Sequence, residues 1–165
     1  MALQDINVGY ATVTWGGTSL GETEGEVRLE VITQRVMQSS DTYGVETPFD
    51  MIEVGRQLKV TVPLSEYAIQ TLQTIIPTAT LSGGRLRIGG TTGTSTRATA
   101  GRLVIHPVIR GSNLGHDVVI HQAVISSETI EVAFLNDRSQ IEVEFMALID
   151  PTNVNGVLGY IGTPL

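Results

Sequence analysis

The fold is decided by the stretch Gly25-Glu26-Val27-Arg28-Leu29-Glu30-Val31-Ile32-Thr33, in which apolar and charged side chains alternate. Successive side chains of a β-strand point to opposite faces of a sheet. Val27, Leu29, Val31 and Thr33 therefore share one face, while the charged residues share the other. The stretch predicts a strand with one side against a core and the other in water.

Similar short strands follow along the chain, separated by Gly, Pro, Asn, Ser and Asp turn signals. The pattern predicts further strands at residues 7–15, 57–63, 85–88, 103–109, 118–125, 130–135 and 140–149. Gly16-Gly17 closes the first of them in a tight turn, and the last two are expected to pair as a hairpin. A chain of many short strands predicts a mostly β fold.

One stretch has helical periodicity. Ser65 is a suitable N-cap with Glu66 in the first turn, and Pro77 ends the pattern. The apolar residues between them recur at helical spacing: Ala68, Ile69, Leu72, Ile75 and Ile76. The sequence therefore predicts a mostly β (α+β) fold, a β-sandwich or barrel of about eight strands with one α-helix packed on it. With no linker or repeat, residues 1–165 are expected to form a single domain.

Two polar segments interrupt the strand pattern. Residues 38–50 contain Ser39, Asp41, Gly44 and Pro48, and they predict a loop of above-median length. Residues 89–101 are rich in Gly, Thr and Ser, with Arg97 as the single charge, and they predict a loop or hairpin tip. Long loops of this kind often make contacts with other molecules.

Composition excludes several classes of function. The net charge of −7 opposes tight binding to nucleic acid, because the average field repels phosphates. The absence of cysteine excludes disulfides, thiolate nucleophiles and zinc sites with sulfur ligands. No window reaches the ~20 apolar residues of a membrane span, so no membrane anchor is expected.

No catalytic constellation is evident, and we predict neither an enzyme nor a bound cofactor. The histidines, His106, His116 and His121, are poorly spaced for a metal site. The Gly-x-Ser-x-Gly motif is missing, and the glycine-rich turn at residues 16–21 lacks the Lys of a P-loop. The pairs Glu22/Glu24 and Glu142/Glu144 are each placed on one exposed strand face, which favours solvated acidic surfaces over an acid/base pair.

Three segments occur in an order that carries a resemblance. Gly16-Gly17-Thr18-Ser19-Leu20-Gly21-Glu22-Thr23-Glu24-Gly25 precedes the long strand, Asp41-Thr42-Tyr43-Gly44-Val45-Glu46-Thr47-Pro48-Phe49-Asp50 follows it, and Pro63-Leu64-Ser65-Glu66 leads into the helix. This order resembles the tail tube proteins (major tail protein family) of tailed bacteriophages. The resemblance covers mainly the first half of the chain. The second half is similar in its strand pattern and its Phe145-x-Ala147-x-Ile149-Asp150 ending.

The resemblance implies a structural virion protein that self-assembles into stacked hexameric rings, whose inner strands form a continuous β-barrel around a channel. Viral DNA would pass through this channel into the host without specific binding. The implied partners are further copies of the chain, a tape-measure protein, a tail terminator, baseplate proteins and, in contractile tails, a sheath. Assembly in the host cytoplasm and localisation in the virion tail are also implied.

Two sets of residues become candidate sites on this hypothesis. A channel lined with carboxylates repels phosphate, which favours charged residues of two predicted strands as lumen-lining candidates: Glu26, Arg28, Glu30, Glu142 and Glu144. A plain solvated sheet face is the alternative for this set. The loop at residues 38–50 resembles the family's inter-ring loop, and with one residue of the second polar segment it supplies the contact candidates: Asp41, Thr42, Tyr43, Gly44, Glu46, Pro48, Phe49 and Arg97.

Other functions stay open. A related tail ring protein, such as a tube terminator, a baseplate ring or the tube of a contractile injection system, fits the same pattern. A monomeric β-sandwich binding module would instead use residues 89–101 for a small ligand or glycan. A hydrolase or metalloenzyme would need a pocket around His116 and His121.

Overall fold

The structure is a computed structural model, and it describes residues 10–39, 42, 44, 47–65, 68–134, 139–152 and 156–163. Within these residues the fold is mostly β, as the sequence predicts, with one α-helix, α1 (Ile69–Ile75). The strands are β1 (Ala11–Trp15), β2 (Thr18–Glu22), β3 (Arg28–Ser39), β4 (Pro48–Leu64), β5 (Thr80–Ser82), β6 (Arg85–Arg87), β7 (Gly101–Pro107), β8 (Val118–Ile125), β9 (Val132–Phe134), β10 (Ser139–Ala147) and β11 (Gly159–Ile161).

Nine of these strands form one antiparallel sheet in the order β2-β1-β7-β8-β10-β4-β3, with β11 paired to β8 and β9 to β10. The sheet closes on itself where the end of β2 meets the end of β4. Thr23 bridges Leu64, and the Ser65 N–H donates to the Glu22 carbonyl at 3.1 Å. The strands β2, β1, β7, β8, β10 and β4 therefore form a barrel, and β5 with β6 forms a separate small hairpin.

The barrel interior is the hydrophobic core. In β1, alternate residues point inward: Ala11, Val13 and Trp15 are buried. The Trp15 ring meets the Phe145 ring edge-on with centroids 5.5 Å apart. Its indole N–H donates to the Ala123 carbonyl at 3.0 Å, so the one polar atom of this large side chain is paired.

The helix is shorter than the sequence predicts. Its N-cap is Ala68, which supplies no side-chain hydrogen bond, so the predicted N-cap role of Ser65 is wrong. The Ser65 hydroxyl donates instead to the Glu22 carbonyl at 3.1 Å, at the seam of the barrel. Part of the predicted apolar stripe packs on the barrel: Ile75 is fully buried in the core, and Leu72 packs against it.

The second strand pair is much longer than predicted. The sequence analysis placed a strand at residues 57–63 and a loop at 38–50, whereas β3 reaches Ser39 and β4 begins at Pro48. A register shift lies between Gln34, opposite Gly55, and Arg35, opposite Glu53. The extra residue at this bulge interrupts the alternation of side chains, so the sequence pattern did not predict the N-terminal part of β4.

Other predicted strands are confirmed with small shifts. β8 has the predicted bounds, and β9 pairs with β10 as the expected hairpin. Residues 89–100 form the loop predicted at 89–101, with one short 3₁₀ turn at Thr96–Thr99, and Gly101 begins β7. The sequence analysis missed β2, β5 and β11, and residues 7–9 of the first predicted strand lie outside the described residues.

Candidate assembly surfaces

The outer parts of β3 and β4 extend beyond the barrel as a two-stranded ribbon, here defined as residues 31–39 and 48–58. Directly opposed residues of two antiparallel strands share a face. Met37 opposes Met51 on one face of the ribbon, and Val36 opposes Ile52 on the other. Met37 is 67% exposed and Val36 is 53% exposed. The ribbon therefore presents large apolar side chains on both of its faces.

The ribbon also has open hydrogen-bonding edges. Among the described residues, the twelve-residue strand β3 has β4 as its strand partner on one side only. On the far side of β4, β10 pairs with residues 59–64 and stops short of the ribbon. Unpaired strand edges of this length readily accept another strand.

Four of the five lumen-lining candidates lie on one outer face of the barrel. Val60, Val62 and Phe145 point into the core, so the residues between them on β4 and β10 point outward. We call this outer surface the carboxylate face, and its charged members are Arg28, Glu30, Lys59, Glu142 and Glu144. Glu26, the fifth candidate, lies in the exposed segment before β3 and is 3.7 Å from Arg28.

The carboxylate face has a local hydrogen-bond network. Lys59 lies opposite Glu30 in the β3–β4 register, and its ammonium is 3.4 Å from the Glu144 carboxylate. The Ser126 hydroxyl donates to the same carboxylate at 2.7 Å. These contacts lower the pKa of Glu144 below its ordinary value, first through the Ser126 hydrogen bond and then through Lys59. Glu144 is therefore held in its charged form.

The inter-ring candidates are only partly described. Thr42 and Gly44 are exposed between the strands of the ribbon, and Pro48 and Phe49 are exposed where β4 begins. Asp41, Tyr43 and Glu46 lie outside the described residues. Arg97 is located elsewhere, where its guanidinium donates to the Ile149 carbonyl at 2.9 Å and ties the 89–101 loop to the end of β10.

The histidines do not form a site together. His116 lies in a short 3₁₀ turn, and the His121 ring in β8 lies 5.5 Å from the Tyr160 ring. The described residues contain no group of three or more His, Asp or Glu that could hold a metal ion.

His106 has a role that the sequence analysis missed. Its Nδ1 is 2.5 Å from the carboxylate of buried Asp117, and its Nε2 is 2.7 Å from the Gly111 carbonyl. Because both partners are acceptors, the ring satisfies both contacts only as the doubly protonated imidazolium. The Asp117 hydrogen bond is the main cause of the raised pKa of His106. No sequence pattern indicates this contact, because it depends on the path of residues 108–117.

No protein-family model matches the chain, and no curated protein matches it in sequence. Within the described residues, no helix has the length and apolar character that a membrane crossing requires.

Proposed function

We propose that the protein is a non-enzymatic structural subunit that assembles with copies of itself into stacked rings, in the manner of a phage tail tube. Six copies per ring follow the resemblance seen in the sequence. The stacked rings would enclose a channel that carries viral DNA into the host. A tape-measure protein, a terminator and a baseplate would be the other partners.

The ribbon is the observation that carries this proposal. An isolated two-stranded hairpin is at best marginally stable in water, and it needs further strands or a packing surface against its apolar face. Here the apolar side chains lie on both faces, with Met37 and Met51 on one and Val36 and Ile52 on the other. Exposed apolar surface of this kind marks an interaction site. Burial of both faces requires neighbours on both sides, which an assembly of identical copies supplies.

The ends of the sheet suggest how copies could join. In the carboxylate-face sheet the order is β9-β10-β4-β3, so β3 lies at one end and β9 at the other. Pairing β3 of one copy with β9 of the next would join two different edges. Such a head-to-tail contact generates a closed ring when the rotation between copies closes. It would also remove the free edge of β3.

The same arrangement would place the carboxylate face on one side of the ring wall. Carboxylates outnumber cations on this face, and the network around Glu144 keeps that side chain charged. A lumen with this charge repels phosphate, so DNA would slide through without adhering. The net charge of −7 per copy acts in the same direction.

Negative-stain electron microscopy over a range of protein concentrations tests the proposal. Hollow tubes of uniform width are expected from the wild-type chain. Met37→Asp and Val36→Asp place a charge on opposite faces of the ribbon, and each should abolish tubes without unfolding the barrel. Ile88→Asp is the matched control, because Ile88 is 73% exposed and lies off the ribbon.

The outcomes separate the remaining functions. Single rings that never stack would favour a terminator or baseplate ring. Normal tubes from both ribbon variants would overturn the role given to the ribbon. A wild-type chain that stays monomeric at all concentrations would favour a binding module over a tube subunit.

A further inference from the structure

A cavity of about 460 Å³ lies between the end of α1 and the glycine-rich 89–101 loop. Its apolar floor includes Trp15 and Ile125, and Ile75 borders it but is fully buried. One side is closed by Ile76-Pro77-Thr78 and the other by residues 91–96. The volume falls within the range of roughly 300–1,000 Å³ that is typical of small-molecule pockets.

The rim of the cavity is polar but uncharged. Its hydroxyl groups come largely from consecutive loop residues: Thr91, Thr92, Thr94, Ser95 and Thr96. Within the described part of the chain, the side chains of Thr92, Thr94 and Ser95 make no hydrogen bond to the protein. No Asp, Glu, Lys, Arg or His lines the cavity. An uncharged ligand with hydroxyl groups would match this rim, while a charged ligand would find no counter-ion there.

The loop is held in place over the cavity. Thr78 has a positive φ of 62°, which is uncommon outside glycine. Gly90 packs directly against it, since a Cβ at Gly90 would lie 3.1 Å from the Thr78 Cβ. The other end of the loop is fixed by the bond from Arg97 to the Ile149 carbonyl. These contacts fix both ends of the loop, so its hydroxyls need little ordering when a ligand binds.

We propose that this cavity binds a neutral glycoside, with the apolar aglycone against Trp15 and Ile125 and the sugar hydroxyls against the loop. Ile125 pairs with Phe145, so it lies on the core side of the sheet, opposite the carboxylate face. The glycoside site would thus lie away from the carboxylate face. The site itself does not depend on assembly, and the test below can fail while the tube proposal stands.

Trp15 is the single tryptophan of the chain and lies in the cavity wall, so its fluorescence reports occupancy directly. The probe is octyl β-D-glucoside, kept below its micelle concentration. Methyl β-D-glucoside supplies the sugar alone, and 1-hexanol supplies an apolar chain alone. A saturable emission change is expected with octyl glucoside, with affinity about tenfold or more above that of either fragment, because only the whole probe meets both floor and rim.

Filled-cavity variants decide whether the change comes from this site. Ser95→Phe and Thr92→Phe each place a ring in the cavity mouth and should weaken binding about tenfold or more. Ser112→Phe is the matched control, an exposed serine in the turn after β7, and it should bind like wild type. Circular dichroism checks that each variant folds, and the second variant keeps the test decisive if one of them does not. Equal affinity in all variants, or no saturable change in wild type, would overturn the proposal.

Discussion

The strand β4 passes through two environments, and their comparison defines the molecule. In its C-terminal part, Val60 and Val62 are fully buried in the barrel core. In its N-terminal part, Met51 and Val54 are 56% and 60% exposed on the ribbon. Both parts are rich in apolar side chains, but only the C-terminal part packs against other residues of the same chain.

This difference shows what an apolar strand pattern does and does not specify. The pattern indicates that a surface is to be buried, because exposing apolar area to water is unfavourable by roughly 25 cal/mol per Å². It does not indicate whether the surface packs against another part of the same chain or against a second molecule. In the barrel the packing partner is the same chain, and on the ribbon we propose that it is a neighbouring copy.

The largest expected effect is the difference in stability between removing a large apolar side chain from the barrel core and removing one from the ribbon. Phe145→Ala should lower the free energy of unfolding of the monomer by about 3–5 kcal/mol, since it leaves a cavity beside Trp15. Met37→Ala on the ribbon should change it by less than about 0.5 kcal/mol, because an exposed side chain loses little packing. Urea denaturation at a concentration below assembly measures both values.

In assembly, Met37→Ala should have a larger effect than Phe145→Ala. At concentrations where wild type forms tubes, Met37→Ala should raise the concentration needed, while the folded fraction of Phe145→Ala should still assemble. If Met37→Ala destabilises the monomer as much as Phe145→Ala does, the ribbon has an intramolecular partner and the comparison fails.

The sequence predicted five of the six barrel strands, because most of them alternate and end at clear turns, and it missed β2, which lies in the segment interpreted as a glycine-rich turn. Gly16-Gly17 closes the β1–β2 hairpin with positive φ at both residues, as the sequence suggested. The ribbon was missed for a physical reason. Ser39 and Pro48, which predicted a loop, are the paired ends of two strands, and the bulge at Val54 breaks the period of two.

The candidate sites were predictable to different degrees. Alternation alone places Arg28 and Glu30, or Glu142 and Glu144, on one face of a strand, and strand pairing then brings the two pairs onto one sheet. The contact of His106 with Asp117 could not be predicted, because a chain reversal between β7 and β8 creates it. The apolar cavity depends likewise on how a loop packs over the helix.

A smaller effect, confined to the barrel, should appear as a dependence of stability on pH. The pKa of His106 is raised in the folded protein, chiefly by its hydrogen bond to Asp117. Its stabilising contribution is therefore complete below the unfolded value of about 6.5 and is lost as pH rises through the folded pKa. Urea denaturation across this range should show a fall in stability that His106→Gln lacks and His116→Gln keeps.

The ribbon contains no histidine, so its contribution to assembly should not follow this step. If tube formation and monomer stability change together over the same pH range in wild type and in His106→Gln, a different group controls both. A pH step that survives in His106→Gln would remove His106 as its cause.

The smallest expected effect lies on the carboxylate face, where the barrel meets the base of the ribbon. Ser126→Ala removes the hydroxyl that contributes most to the lowered pKa of Glu144, so this pKa should rise toward its ordinary value. The carboxylate stabilises the fold above its unfolded pKa and loses this contribution as pH falls through the folded pKa. Because Glu144 is partly exposed, the change in stability at neutral pH should stay below about 1 kcal/mol.

The carboxyl carbon shift of Glu144, followed by NMR against pH, measures this change directly, with Ser112→Ala as the control. Lys59→Met should also raise the pKa of Glu144, because the Lys59 ammonium lowers this pKa both by its charge and by its hydrogen bond. A larger rise with Lys59→Met than with Ser126→Ala would mean that the ion pair across β4 and β10 keeps Glu144 charged. The carboxylate face would then depend on Lys59, whose register opposite Glu30 is set at the base of the ribbon.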